Sequence, residues 1–189
     1  MGIILASGSP RRLELLKMIG IKDFKVIADK TDEILTGGLS PEEQVKRLSL
    51  QKAQNVASSC FADDIIIAAD TLVYLGKKPL GKPVSRTDAG KMLEKLSGQK
   101  HSVYTGITIL KNEVYISEAE KTDVYFRELT DKEINAYIET DEPMDKAGSY
   151  AAQGSAAIFI KRIEGDFFNV MGLPLCRLSM MLEDFGVTI

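Results

Sequence analysis

The 189-residue chain contains one histidine and two cysteines, and these scarcities set the first limits on function. A lone His101 cannot supply a multi-histidine metal site. Cys60 and Cys176 lie far apart with no C-x-x-C spacing, so neither a zinc site nor a disulfide framework is expected, and a reducing cytoplasmic setting fits best. The first apolar run stops at Ser7 and no basic segment precedes it, so neither a secretory signal nor a membrane span is expected. A formal net charge of −3 provides no broad basic field for wrapping a nucleic-acid polymer, although local lysines and arginines can still hold a phosphate chain. The motifs Gly-x-x-x-x-Gly-Lys-Ser/Thr, Gly-x-Gly-x-x-Gly and Gly-x-Ser-x-Gly are all absent, which removes support for the P-loop, dinucleotide-binding and hydrolase-elbow readings.

At 44% hydrophobic and 27% charged, the chain is long enough for a substantial core and too mixed to be disordered. A short buried strand is expected at Ile3 to Ala6, and Ser9-Pro10 then opens a helix that stops at Gly20. Ser40-Pro41-Glu42-Glu43 and Thr130-Asp131-Lys132-Glu133 have capping-box spacing and predict further helix starts. Asp64 to Ala69 is short, apolar and β-branched, the pattern of a central strand buried on both faces. A helix is expected from Arg86 to Leu96 and another after Pro174. Extended segments are expected at Ser102 to Leu110, Val114 to Phe126 and Ala156 to Ile163. Helices and strands alternate early and long strands follow, which predicts an α/β mixed sheet with flanking helices. No repeat or linker divides the chain, so 1–189 reads as one domain, or two closely packed lobes.

Several residues are candidates for chemistry. Ser7-Gly8-Ser9-Pro10-Arg11-Arg12 falls where a strand ends and a helix begins, and a helix N-terminus with hydroxyls and guanidinium groups can cradle an anion. Ser9 can equally be a plain cap and the arginines a solvated first turn. Lys52 shares the inner stripe of its helix with Leu48 and Val56, either snorkelling to water or reaching a phosphate. Asp70 follows a buried strand, where a carboxylate needs a cation, a metal or hydrogen bonds, unless it caps a turn. Lys82 and Glu33 have ordinary solvated-loop readings. Gln153, within a glycine-punctuated stretch from Glu142 to Pro174, carries the donor and acceptor needed to read a base edge, or is simply part of a polar rim.

Taken in order, LASGSPRR (Leu5 to Arg12), TDE (Thr31 to Glu33), Lys52, AADT (Ala68 to Thr71), LGKP (Leu80 to Pro83), LSG (Leu96 to Gly98), YTG (Tyr104 to Gly106), EPMDKAGSYAAQG (Glu142 to Gly154) and GDFFNVMGLPL (Gly165 to Leu175) resemble the Maf family of nucleotide pyrophosphatases. The resemblance implies an elongated, two-lobed inosine triphosphate pyrophosphatase-like (Maf/Ham1) fold with the site in a cleft. It also implies a divalent cation, Mg²⁺ or Mn²⁺, held by Glu33 and Asp70, with Asp70 taking a proton from water and Ser9, Arg12, Lys52 and Lys82 holding phosphates. Arg12, Thr71 and Gln153 match the branch acting on dTTP and UTP. The branch acting on 7-methyl-GTP typically has tryptophan, glutamine and glutamate at the corresponding points. Ser149-Tyr150-Ala151-Ala152 departs from the commoner pyrimidine-branch sequence, where glycine and isoleucine are frequent. The expected partner is a nucleoside triphosphate, and a homodimer is left open. A nucleotide-binding regulator of septum formation with little turnover is the alternative reading.

Overall fold

The run Ile65-Ile66-Ile67-Ala68-Ala69 is fully buried, as an unbroken apolar strand must be when both its faces are covered. In the computed structural model, which describes residues 2–29, 31 and 34–189, it forms the first part of β3 (Ile65–Leu75). Beside it lies β1 (Ile3–Leu5), followed in the sheet by β2 (Phe24–Val26), both parallel. The hairpin partner β4 (Lys78–Leu80) pairs antiparallel with the far end of β3. Two long strands, β5 (Lys100–Lys111) and β6 (Val114–Phe126), and a short β7 (Ile160–Glu164) complete a seven-stranded mixed sheet, ordered β2-β1-β3-β5-β6-β7 with β4 on β3.

The chain divides into two compact units. The first comprises Met1–Asp70, Thr105–Glu120 and Gly172–Ile189. Its helices are α1 (Pro10–Met18), α2 (Pro41–Ala57) and a C-terminal helix (Leu175–Glu183). Ser40 and Glu43 satisfy each other's backbone N–H groups at the start of α2, as their spacing requires. Ala53 and Val56 on that helix pack against Ile4, Ile66, Ala68 and Leu110. Asp64 heads β3 by accepting from the Gly2 and Phe61 amides, which explains a buried carboxylate at the edge of an apolar run.

The second unit, Thr71–Tyr104 and Lys121–Met171, holds α3 (Arg86–Leu96), α4 (Asp131–Ile138) and the short α5 (Phe167–Met171), which makes the C-terminal helix α6. Leu93, Leu96, Val124, Ile134, Tyr137 and Phe159 share one core. The strand expected from Ala156 begins only at Ile160, because Ser155–Phe159 is a 3₁₀ turn. The Arg127 amide still donates to Phe159 O just beyond the Phe126–Ile160 pair, whereas Ile158 O accepts from the Arg127 guanidinium.

His101 lies inside the second unit's aromatic core, 1% exposed and edge-on to Phe126 and Tyr150. Its Nε2 is 2.8 Å from the Tyr150 hydroxyl. Burial pushes its pKa down from 6.5 to about 4, so the folded protein keeps it neutral where the unfolded chain takes a proton. This contribution to stability is intact above pH 6.5 and erodes as pH falls toward 4, at roughly 1.4 kcal/mol per pH unit and about 3 kcal/mol in all. Urea unfolding across that window should show the erosion in the native protein and not in His101→Gln. Parallel profiles for the two proteins would contradict it.

Candidate active site

In the first unit, β1 ends at Leu5, which pairs with Ile67, and the Ala6 amide makes the last hydrogen bond to Ile67 O. Beyond that point β3 continues without β1, and Asp70 sits there. The strand itself runs on to Leu75, so Asp70 stands at the carboxyl end of the parallel section and not at the end of its strand. It is 2% exposed, and Lys52 Nζ donates to its Oδ1 at 2.5 Å. The inner-stripe position of Lys52 on α2 thus leads inward to a carboxylate. A charge buried this deeply is tolerable because a cation meets it directly.

One helical turn further along α2, Asn55 Nδ2 reaches Thr31 Oγ at 2.9 Å and Asp29 Oδ2 at 3.3 Å. Burial alone would raise the Asp29 carboxyl, but hydrogen bonds from Thr31 and Asn55 together with the Lys52 charge hold it below its ordinary value. Asp29 and Asn55 carry no motif. The one signal for Asn55 is its spacing of three from Lys52, which puts both on one helix face. Glu33, expected as a metal ligand, lies outside the described residues.

Ser9 occupies the N-cap position of α1 with extended backbone, but its hydroxyl makes no capping hydrogen bond. The backbone there is instead organised by Ser7, whose Oγ accepts from the Ser9 amide and from Arg12 Nη1 at 3.1 Å. Arg12 Nε donates to Gly172 O at 2.7 Å, so the guanidinium is clamped between the start of α1 and the Gly-Leu-Pro turn preceding α6. Such a clamp fixes a planar donor fork in advance of any anion.

In the second unit, Thr71 follows Asp70 on β3 and is half-buried. Lys82 is exposed in the loop after β4, whose Gly81 carbonyl accepts from the Gly148 amide at 3.1 Å. Gln153 is exposed on a turn closed by a hydrogen bond from the Gly154 amide to Ala151 O. Of the expected residues, a hydrogen bond joins Lys52 to Asp70, while Arg12 is held by Ser7 and Gly172.

Among the described residues, no three His, Cys, Asp or Glu side chains cluster as a preformed metal cage. Magnesium characteristically uses one or two carboxylates and completes its shell with water and substrate phosphates. Asp70, a buried carboxylate with hard oxygen donors, fits that mode.

A family model for Maf-like proteins matches residues 2–185. The chain belongs to the Maf-like family. Relatives of this family at high similarity include a dTTP/UTP pyrophosphatase of Caldicellulosiruptor bescii, 47% identical over 97% of this chain and 94% of that protein. A dTTP/UTP pyrophosphatase of Bacillus anthracis is 44% identical over 99% of this chain and 97% of its own length. Among solved structures, a HAM1 protein from Coxiella burnetii superposes with a TM-score of 0.56 at 18% identity, covering 97% of this chain and 99% of that one. The Maf-like chain therefore shares the Ham1 fold, as its sequence suggested. Among the described residues no helix is long and apolar enough to cross a membrane.

Proposed function

We propose that this Maf-like protein hydrolyses dTTP or UTP to the nucleoside monophosphate and pyrophosphate, by attack of water on the α-phosphorus. The observation that carries the proposal is nearly full-length likeness, at 44–47% identity, to relatives named for that activity. The pair of partly buried Lys52 and buried Asp70 supports the chemistry, because it supplies an oriented proton acceptor beside a fixed cation.

Asp70 accepts the proton of the attacking water. Lys52 fixes that carboxylate and offers positive charge to a phosphate oxygen. Arg12, already clamped by Ser7 and Gly172, presents its guanidinium to the phosphate chain, with Ser9 beside it, and Lys82 meets the charge that grows on departing pyrophosphate. Asp70 and Glu33 would hold a divalent cation, Mg²⁺ or Mn²⁺, which when bound neutralises phosphate charge and lowers the pKa of water. Thr71 and Gln153 are assigned to recognition of the nucleotide. We further assign the chain to the cytoplasm as one Maf-like domain.

Uracil and thymine present an acceptor–donor–acceptor edge, and one amide can satisfy an adjacent acceptor and donor. A panel of nucleoside triphosphates, resolved by chromatography, tests this assignment. UTP and dTTP should be cleaved well ahead of GTP and ATP. Gln153→Glu, which loses the amide donor and sets a carboxylate against a carbonyl, should lower UTP turnover by more than about tenfold. Equal turnover of UTP, GTP and ATP by the native protein would overturn the specificity.

A further inference from the structure

The turn carrying Gln153 is tied at both ends to a single pair of side chains. At its entrance the Ala151 amide donates to the Tyr137 hydroxyl at 3.3 Å. At its exit the Ser155 amide donates to Glu142 Oε2 at 3.1 Å. The two anchors are joined, because the Tyr137 hydroxyl donates to Glu142 Oε1 at 2.8 Å. Between them the Gly154 amide closes the turn on Ala151 O at 3.1 Å, leaving Gln153 at its exposed apex. Tyr137 is itself fixed by core packing, edge-on to Phe159 and 4% exposed. Burial, together with the Glu142 carboxylate, pushes the Tyr137 hydroxyl far above its ordinary pKa, so its proton stays available to Glu142.

Gly154 shows how closely the carboxylate sits. A Cβ there would lie 2.2 Å from Glu142 Oε1 and 2.6 Å from Oε2, so any other residue would drive the carboxylate out of the turn. The bare backbone at 154 is what lets Glu142 occupy the inside of the loop. An exposed glutamine on an untethered turn samples many orientations, whereas one on a turn held at both ends starts close to its binding geometry and loses less freedom on contact.

We infer that Tyr137 and Glu142 form a clasp that positions Gln153, and that this clasp, not Gln153 alone, sets discrimination between pyrimidine and purine nucleotides. The inference rests on the assignment of Gln153 to base recognition. Neither clasp residue touches the substrate; both act through the 151–155 backbone.

The test compares kcat/KM for UTP and GTP in the native protein, Gln153→Ala, Tyr137→Phe, Glu142→Gln, and the latter two each combined with Gln153→Ala. Tyr137→Phe removes both hydroxyl bonds and should lower the UTP to GTP ratio by about tenfold. Glu142→Gln keeps the volume but replaces the charged acceptor with a neutral amide whose NH2 must face the Tyr137 hydroxyl, weakening the tie, so about threefold is expected. The losses should fall mainly on KM for UTP. In the Gln153→Ala background neither clasp substitution should lower the ratio further, since what the clasp positions is gone. If Gln153→Ala loses discrimination while both clasp variants keep it, the clasp is overturned and base recognition by Gln153 stands. If Gln153→Ala discriminates as well as the native protein, the recognition assignment fails, and the clasp with it. Should Tyr137→Phe fail to fold, Glu142→Gln and Gly154→Ala still decide. A Glu142→Gln or Gly154→Ala protein that loses activity toward UTP and GTP equally, with a lowered melting temperature, would reduce the clasp to a structural tie and overturn the inference.

Discussion

Asp70→Asn should retain the fold and lose a hundred- to ten-thousand-fold in the rate of UTP hydrolysis, the range that loss of a general base typically costs. The substitution preserves volume and removes both the charge and the basicity of a side chain that is 2% exposed. An amide can present its oxygen to Lys52 Nζ, which now lies 2.5 Å from the carboxylate, but it cannot accept the proton of an attacking water. Nucleotide affinity should suffer much less, because Ser9, Arg12, Lys52 and Lys82 are all retained. Single-turnover hydrolysis beside calorimetric nucleotide binding, at two metal concentrations, separates chemistry from affinity. A folded Asp70→Asn protein within about threefold of the native rate would place the base elsewhere.

Gly106→Ala should cost about 3 kcal/mol of stability or more, at the upper end of what overpacking produces. Gly106 lies on β5 where α2 crosses it. A Cβ would meet Val45 O at 2.2 Å, Val45 C at 2.3 Å and Lys46 N at 2.8 Å, all backbone atoms of α2 that no rotamer change can move aside. One turn along the helix and two residues along the strand, Ser49 Oγ lies 2.8 Å from Thr108 Oγ in a buried contact, so the two elements are locked in register beside the glycine. Backing the helix away would break that contact and carry Lys52 with it. Thermal unfolding should show a fall on the order of 6–12 °C for a chain of this size, with hydrolysis reduced in the surviving fold. An unchanged melting temperature would mean that the helix approaches the strand less closely.

These residues show where the sequence was readable and where it was not. The capping boxes at Ser40 and Thr130 were legible because each is a contract between residues three apart, and both form. The β3 run was legible because β-branched apolar residues with no polar alternation have few other destinations. Lys52 was placed on the inner stripe by helical period alone, but its partner lies 18 residues away across a strand pairing that no local pattern encodes. Tyr104 to Gly106 stood out only as part of the family resemblance, and tertiary structure alone shows that Gly106 admits the backbone of α2. At Ala156 to Phe159 apolar residues suggested a strand, but the chain there forms a 3₁₀ turn in which the Ile158 carbonyl accepts from the Arg127 guanidinium, a partner 31 residues away that no local pattern encodes. Tyr137 lies on the buried face of α4, as helical period would place an aromatic, while its hydroxyl has a second task that hydrophobic periodicity does not register.

The most direct test of the central claim is to identify the products, and the bond broken, when the purified protein meets UTP and Mg²⁺ in water enriched in heavy oxygen. Attack at the α-phosphorus predicts UMP carrying the heavy oxygen and unlabelled pyrophosphate, released together in equal amounts. Release of orthophosphate with UDP, or a label found only in pyrophosphate, would contradict it.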